Sequence, residues 1–404
     1  MSHRAHRTLA TAVICAGSLG GCASPSGDAA APGGQAGCAQ TAAGALGTVL
    51  GRLYSASAAG SNVGEAIKRV QGSAPLTRAV GRGDRAATRL ALNRLLKGQI
   101  LRIRILRAGR LFVEVGSGQA LGPSSGDLRG PSGRVVGRFI LAVQGTHSFL
   151  SLARALTGVP VGIYAGGRLM PDPAAGGPTR LAASGPLTWH GQRFRALTLA
   201  ATLYPSGPID ISMLVPSSGG PCGASTQETR ALVLGMVARR IYQGELSGSA
   251  VQAAVRHVSA SRRFSRAIAR GDRAEARASI IAFFTTHLHV VRVRVLRGGR
   301  PLVDVGGPAV LAPVSVPIRR GGRQIGVAVI AVQDDAGYVK LVHRFTGAKV
   351  VLYRDGQRVM GTLHPGPRSP PPDGEVSYHG HSFRSYSFTG TAFPSGPLQI
   401  SLFF

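Results

Sequence analysis

Leu101-Arg-Ile-Arg-Ile-Leu-Arg-Ala-Gly-Arg110 alternates apolar and basic side chains before a turn, and Val291-Arg-Val-Arg-Val-Leu-Arg-Gly-Gly-Arg300 repeats the pattern. Period-two alternation gives a strand one apolar and one polar face. The Gly298-Gly299 pair then turns the chain, and Pro301 to Val305 reads as the return strand of a hairpin. Working outward, the same pairing of segments recurs along the chain. Val80-Gly-Arg-Gly-Asp-Arg-Ala86 returns as Ile268-Ala-Arg-Gly-Asp-Arg-Ala274, and Ala142-Val-Gln144 returns as Ala331-Val-Gln333. Phe149 to Gly158 matches Tyr338 to Gly347, Trp189-His-Gly191 matches Tyr378-His-Gly380, and Tyr204-Pro-Ser-Gly-Pro208 matches Phe393-Pro-Ser-Gly-Pro397. The offset stays between 188 and 190 residues throughout. Collinear matches of this kind establish a tandem duplication of one unit.

Each copy has the same expected order of elements. Helical sequence comes first, as in Thr229 to Ile241 and Ala250 to Val258, with apolar residues three and four apart. A further helix starts after Gly271-Asp272, where the aspartate is placed to cap it. The hairpin follows, then a turn at Arg320-Gly-Gly322 and an apolar strand from Gln324 to Gln333. Gly337 to Phe345 reads as a short helix that stops at Gly347. Three strands are expected to close the unit: Lys349 to Tyr353, Val376 to Phe388 and Leu398 to Phe403.

The N-terminus reads as a bacterial export signal, with Arg4 and Arg7 ahead of an apolar run from Thr8 to Gly21. That run is too short for a spanning helix, which needs about 20 apolar residues. Leu19-Gly-Gly-Cys22 resembles the lipobox of bacterial lipoproteins, which implies lipidation of Cys22 and a protein held on the extracytoplasmic face of the cell membrane. Two acyl chains anchor stably, because each buried methylene contributes roughly 0.8 kcal/mol. Residues 1–21 are then signal peptide and 22–37 a flexible linker of Ser, Pro, Gly and Ala. With Cys15 removed and Cys22 lipidated, Cys38 and Cys222 remain, and an oxidising compartment permits either a disulfide between them or two free buried thiols.

Forty-seven basic residues face 17 acidic ones, for a net charge of +30, and only Lys68, Lys97, Lys340 and Lys349 are lysines. The arginines are spread over helices, strands and turns without the aromatic interleaving of nucleic-acid binders, so no nucleic-acid partner is expected. A solvated basic surface, or contact with anionic lipid or wall polymer, fits the balance better.

The helical lead, the antiparallel strands and the short helix before the last three of them carry a family likeness. So do Gly347-Ala-Lys-Val-Val-Leu-Tyr-Arg-Asp-Gly356 and Val376-Ser-Tyr-His-Gly-His-Ser-Phe-Arg384. Together they resemble the extracytoplasmic Cache or PDC-type sensor domains. The resemblance covers residues 45 to 404 as two copies. It implies an α+β fold of two tandem PAS-like (Cache/PDC) domains, 38–216 and 217–404, each a helical N-terminal lead plus a five- or six-stranded antiparallel sheet. It also implies a small-molecule pocket between the sheet and the short helix. The Arg-x-Trp-Tyr element of the amino-acid-binding subgroup is missing from both copies, so the resemblance names no ligand.

The second copy has the richer polar set, with Asp334-Asp335 standing where the first has Gly145-Thr146. Its candidate ligand-binding residues are Tyr338, His343, Tyr353, Tyr378, Arg384 and Tyr386. Arg292 and Arg294 join them, two guanidinium groups on one strand face that can hold a carboxylate or phosphate in paired hydrogen bonds. The same aromatics serve equally as core or rim residues. Gly122-Pro-Ser-Ser-Gly126 has the form of a nucleophile elbow without its strand and helix. The pairs His287/His289 and His379/His381 have no third ligand fixed by spacing. Neither catalysis, nor a cofactor, nor a metal is expected. The expected function is a lipid-anchored binding protein for a small, anionic or amino-acid-like molecule, which relays occupancy to a membrane-bound signalling partner. The alternative is an envelope lipoprotein that adheres to anionic wall polymer through its basic surface.

Overall fold

The computed structural model describes residues 32–96, 100–181, 184–286, 290–364, 366–371, 373–394 and 396–404. The signal peptide, Cys22, His287 and His289 lie outside the described residues. The first copy leads with helices α1 (Pro32–Ala59), α2 (Ser61–Gln71), α3 (Ala74–Arg82) and α4 (Arg85–Leu96). Residues 32–37, part of the stretch read as linker, are therefore helical. Strands β1 (Arg102–Arg107), β2 (Arg110–Gly116), β3 (Ala120–Leu121), β4 (Ser124–Arg129), β5 (Val135–Ala142) and β6 (Gln144–Gly145) follow. Helix α5 (Thr146–Thr157) precedes β7 (Val161–Ala165), β8 (Arg168–Leu169), β9 (Gly185–Trp189), β10 (Gln192–Tyr204) and β11 (Gly207–Pro216).

The second copy repeats this order. Its lead is α6 (Thr226–Ser247), α7 (Ser249–Ala260), α8 (Arg262–Arg270) and α9 (Arg273–Thr286). Then come β12 (Arg292–Arg297), β13 (Arg300–Gly306), β14 (Val310–Leu311), β15 (Val314–Arg320), β16 (Arg323–Ala331) and β17 (Gln333–Asp334). Helix α10 (Asp335–Thr346) leads to β18 (Lys349–Arg354), β19 (Gln357–Gly361), β20 (Gly374–Tyr378), β21 (His381–Phe393) and β22 (Gly396–Phe403).

The fold is α+β, two tandem PAS-like units each with a helical lead ahead of antiparallel strands. Within each copy the strands divide into two sheets. Four strands in the order β2-β1-β5-β4 form one, and seven the other, in the order β6-β3-β10-β11-β7-β8 with β9 paired to β10. The second copy has the same two sheets, β13-β12-β16-β15 and β17-β14-β21-β22-β18-β19 with β20 on β21. The stretch from Val376 to Phe388, read as one strand, is a hairpin. His379 and Gly380 both have positive φ, at 50° and 76°, the backbone of a two-residue turn whose twist matches the strands it joins. His379 therefore stands in the turn and His381 on the strand, not side by side on one strand face. Among the described residues no three His, Cys, Asp or Glu side chains come together as a metal site, and no helix is long and apolar enough to cross a membrane.

Three large cores, beside smaller clusters, hold the described residues together. In the first copy α2, α3 and α4 cover the four-stranded sheet around Val80, Leu92, Ile103, Ile105 and Phe139. In the second, α7, α8 and α9 do the same around Phe264, Ile268, Val293 and Val295. The third core belongs to neither copy. It joins α1, α5, α6, α10 and the inner faces of both seven-stranded sheets, with Val49, Leu50, Leu234, Val237, Ile211 and Ile400 all buried in it. Helix α1 lies on β10 and against α6 and α10, while α6 lies on β21 and against α5, so each lead helix packs on its own sheet and on the other copy's short helix. Each large aliphatic side chain buried there contributes about 1.5–3 kcal/mol. The hydrogen bonds repeat with the register: the Thr202 amide donates to the Tyr54 hydroxyl at 2.8 Å, and the Thr391 amide to the Tyr242 hydroxyl at 2.7 Å.

Candidate functional site

At the seam, Arg240 of α6 reaches the last turn of α5, where its Nη1 donates to the Thr157 carbonyl at 2.6 Å. The cap of α5 is Gly158 at φ 69°, and a Cβ added there would overlap the Arg240 guanidinium. Only glycine satisfies both the left-handed backbone and the close approach. Burial lowers the Arg240 pKa, and the group stays protonated at any physiological pH. The counterpart 188 residues earlier is Arg52 of α1, whose Nη1 donates to the Phe345 carbonyl at 3.4 Å in the last turn of α10. Its guanidinium lies against Gly347 in the same way. Each lead helix thus caps the short helix of the other copy.

A hollow of about 500 Å³ opens beside Arg240. Its walls are Ala39, Ala42 and Leu46 of α1, Val233 and Met236 of α6, Val159 from the connection after α5, and Val215 of β11. The connection between the copies, Ser217 to Pro221, rims it, and Cys38 and Cys222 stand at its edge. These two cysteines are bonded in a disulfide with 5.7 Å between their Cα atoms, which ties the start of α1 to the connection. Chemically the hollow is an apolar chamber with one permanent cation. It accommodates an apolar body with an acidic or carbonyl end group set against the arginine.

The eight candidate residues of the second copy do not converge on one cavity. Arg292 and Arg294 already hold a carboxylate, that of Asp304 on the neighbouring strand, at 2.8 and 2.7 Å, and both guanidinium groups stack over Phe393. The hydrogen bond from Arg292 is the largest influence in holding the Asp304 carboxyl below its ordinary pKa, assisted by Arg294. Glu114 plays this part for Arg102 and Arg104; burial alone would raise it, but the two arginines outweigh burial and lower its pKa.

Four of the remaining candidates bear on the packing around the lead helix and the short helix. Tyr338 is fully buried and its hydroxyl donates to the Ala238 carbonyl of α6 at 3.0 Å. Burial pushes that phenol well above its usual range. Arg384 pairs with Glu228 of α6 at 2.7 Å. Tyr386 packs its ring where a Cβ on Gly235 would sit. His343 Nδ1 lies 2.8 Å from the Ala348 carbonyl just past α10. Tyr353 packs with Val351 and Phe403, its phenol pushed up to about 12 by burial, and its hydroxyl has no protein partner. Tyr378 is half-buried at the end of β20, edge-on to His379. Ser124 donates its hydroxyl to the Ala58 carbonyl at the start of β4.

Nothing in the expected list lines the seam hollow except the two cysteines. Its walls are mostly alanine, valine, leucine and methionine, which carry no chemical signature. A signal for Arg240 does exist, since Leu46-Gly47, Val49 and Arg52-Leu53-Tyr54 return as Leu234-Gly235, Val237 and Arg240-Ile241-Tyr242 at the same offset.

No protein-family model and no curated protein matches the chain. Among solved structures the chain is similar to an extracellular ligand binding receptor from Desulfohalobium retbaense DSM5692, with 12% identity and a TM-score of 0.29. The match covers 55% of this chain and 47% of that one, so the chain spans about half of the receptor's length. At this level of likeness neither fold nor ligand is transferred.

Proposed function

We propose that this protein is an extracytoplasmic, lipid-anchored sensor of the Cache kind that binds a small molecule in the seam hollow and relays its occupancy to a membrane-bound partner. One observation carries the reading: an apolar chamber of about 500 Å³, within the range of small-molecule sites, with one convergent charged group, Arg240. The ligand class it fits is a small organic acid or amino-acid-like molecule with an apolar body. Arg240 positions the polar end while Leu46, Val233 and Met236 take up the rest. The lipobox at Cys22 supports the anchor, and the relay has a route in α1, which walls the hollow and begins at Pro32, a short stretch beyond that cysteine.

The test is thermal denaturation of the full-length protein against a panel of small organic acids and amino acids. A ligand that binds only the folded state at 100 times its Kd adds about 2.7 kcal/mol of stability. Met236→Trp fills the hollow from the α6 side and is expected to abolish the shift while the protein stays folded. A shift that survives Met236→Trp, or a panel without any saturable hit, ends this reading. The second reading, adhesion to anionic wall polymer, is favoured by the net charge of +30. Salt-sensitive retention on that polymer with no small-molecule hit supports it.

A further inference from the structure

The duplication supplies an internal control for the seam hollow, because the register generates a second one. It opens beside Arg52, at the C-terminal end of α10, with a volume of about 320 Å³. Its lining is different in kind. Arg52, Arg230 and Lys349 supply three cations, and Phe383, Phe403 and Phe404 supply apolar walls. By the register, Arg240 and Ala42 of the first hollow stand for Arg52 and Arg230, and the equivalent of Lys349 is Pro160, which does not line the first hollow. The first arginine is therefore part of the shared architecture, a helix cap, whereas the other two cations belong to the second hollow alone.

We infer that this second hollow is a separate binding site for a small organic anion, a carboxylate or phosphate carried on a flat apolar body. No Asp or Glu side chain lines it, the Phe404 backbone oxygen accepts from the Arg384 amide at 3.1 Å, and among the described ion pairs none joins Arg52, Arg230 or Lys349 to a carboxylate. Glu228, one residue beyond the lining residue Gln227, is committed to Arg384 at 2.7 Å and to the Ala224 amide at 2.8 Å. Arg230 and Lys349 are exposed, free to close on an incoming anion, while Arg52 is half-buried and held by the Phe345 carbonyl. Gln227 and Arg230 belong to the first turns of α6, a 22-residue helix whose positive end adds to the field. Three cations and three phenyl rings around one hollow, with Lys349 paired across the sheet to Phe403, match a charged head on an aromatic body. Neither feature depends on the apolar hollow across the seam, so this site stands or falls independently of the function proposed above.

Calorimetric titration of the full-length protein with phenyl phosphate and with benzoate tests the site, with benzyl alcohol and inorganic phosphate as the uncharged and bodiless controls. The expected result is saturable binding of one or both aryl anions, stronger than either control. It should weaken about tenfold in Arg230→Ala/Lys349→Ala, whose substituted side chains are exposed and whose fold is undisturbed. Met236→Trp, on the far side of the seam, should leave it unchanged. Binding that the double variant does not weaken, binding that Met236→Trp removes, or no binding of either aryl anion would overturn the assignment. Affinity that follows benzyl alcohol or inorganic phosphate equally well overturns it too. Phenyl phosphate against benzoate then decides whether phosphate or carboxylate is the preferred head.

Discussion

Among the described residues, arginine meets backbone carbonyls as well as acids, so part of the excess of 47 basic residues over 17 acidic ones is held without a carboxylate partner. Arg107 donates to Gly81 and Arg297 to Ala269 at the ends of α3 and α8, as Arg240 and Arg52 do for α5 and α10. The last carbonyls of a helix carry partial negative charge, so each guanidinium finds both acceptors and a favourable field there. Arg240→Ala is expected to cost about 1–2 kcal/mol in urea denaturation, through a charged hydrogen bond and a helix-end contact, with Arg240→Lys recovering only part of it. Gly158→Ala should cost at least about 1 kcal/mol through its positive φ alone. Acid titration reports the other kind of arginine partner. Asp304 is lowered from an ordinary value of 3.8, so the stability it contributes is fully present above that value and is lost as the pH falls through the lowered one. Asp304→Asn should therefore flatten the dependence of stability on pH below about 4 and leave Arg292 and Arg294 crowded against each other at neutral pH.

Helix α6 shows how far the elements were legible. Its apolar spacing marks it as a helix, and the alternation in β1 and β12 marks them as strands, because burial on one face leaves a period in the sequence. The start of α1 within the supposed linker was hidden, since glycine, alanine and proline carry no apolar period, and glycine and proline read as helix breakers. The hairpin at His379-Gly380 was hidden for a different reason: histidine is not a usual turn signal, and the glycine alone was too little to break a run in which polar residues are interspersed with Val, Tyr and Phe. Of the aromatics chosen as pocket residues, Tyr338 and Tyr353 are buried, and what they face is mostly protein. Tyr338 and Tyr386 close on Ala238 and Gly235 of α6, and Tyr242 grips Thr391. Gly235→Ala should accordingly destabilise the folded protein by about 1–3 kcal/mol by forcing the Tyr386 ring aside, measurable as a lowered thermal midpoint. Tyr242→Phe, which leaves one strand amide without its acceptor, should cost about 1 kcal/mol.

At the scale of the molecule, two copies share one core, and a copy taken alone exposes what the other was covering. Val49 and Leu50 on α1 and Val237 and Ala238 on α6 belong to a cluster that draws on both seven-stranded sheets. Residues 32–216 expressed without the second copy are expected to associate or aggregate instead of giving a stable monomer, which size-exclusion chromatography with light scattering would show. The disulfide between Cys38 and Cys222 acts at this scale as well, because it closes a loop of 184 residues around the first copy. Cys38→Ser/Cys222→Ser should lower stability by about 2–4 kcal/mol.

The reciprocal capping of α5 by Arg240 and of α10 by Arg52 is the geometry of a two-fold homodimer, in which a patch on one subunit meets the same patch on its twin. Written into a single chain, it is the arrangement that fusing the genes of two identical, mutually capping subunits produces. Fusion fixed the stoichiometry at one to one and removed the symmetry constraint, so a substitution no longer had to be acceptable in two places at once. The two hollows differ accordingly: one is lined by Arg230 and Lys349, while the other has Ala42 in place of Arg230 and lies beside a covalent staple.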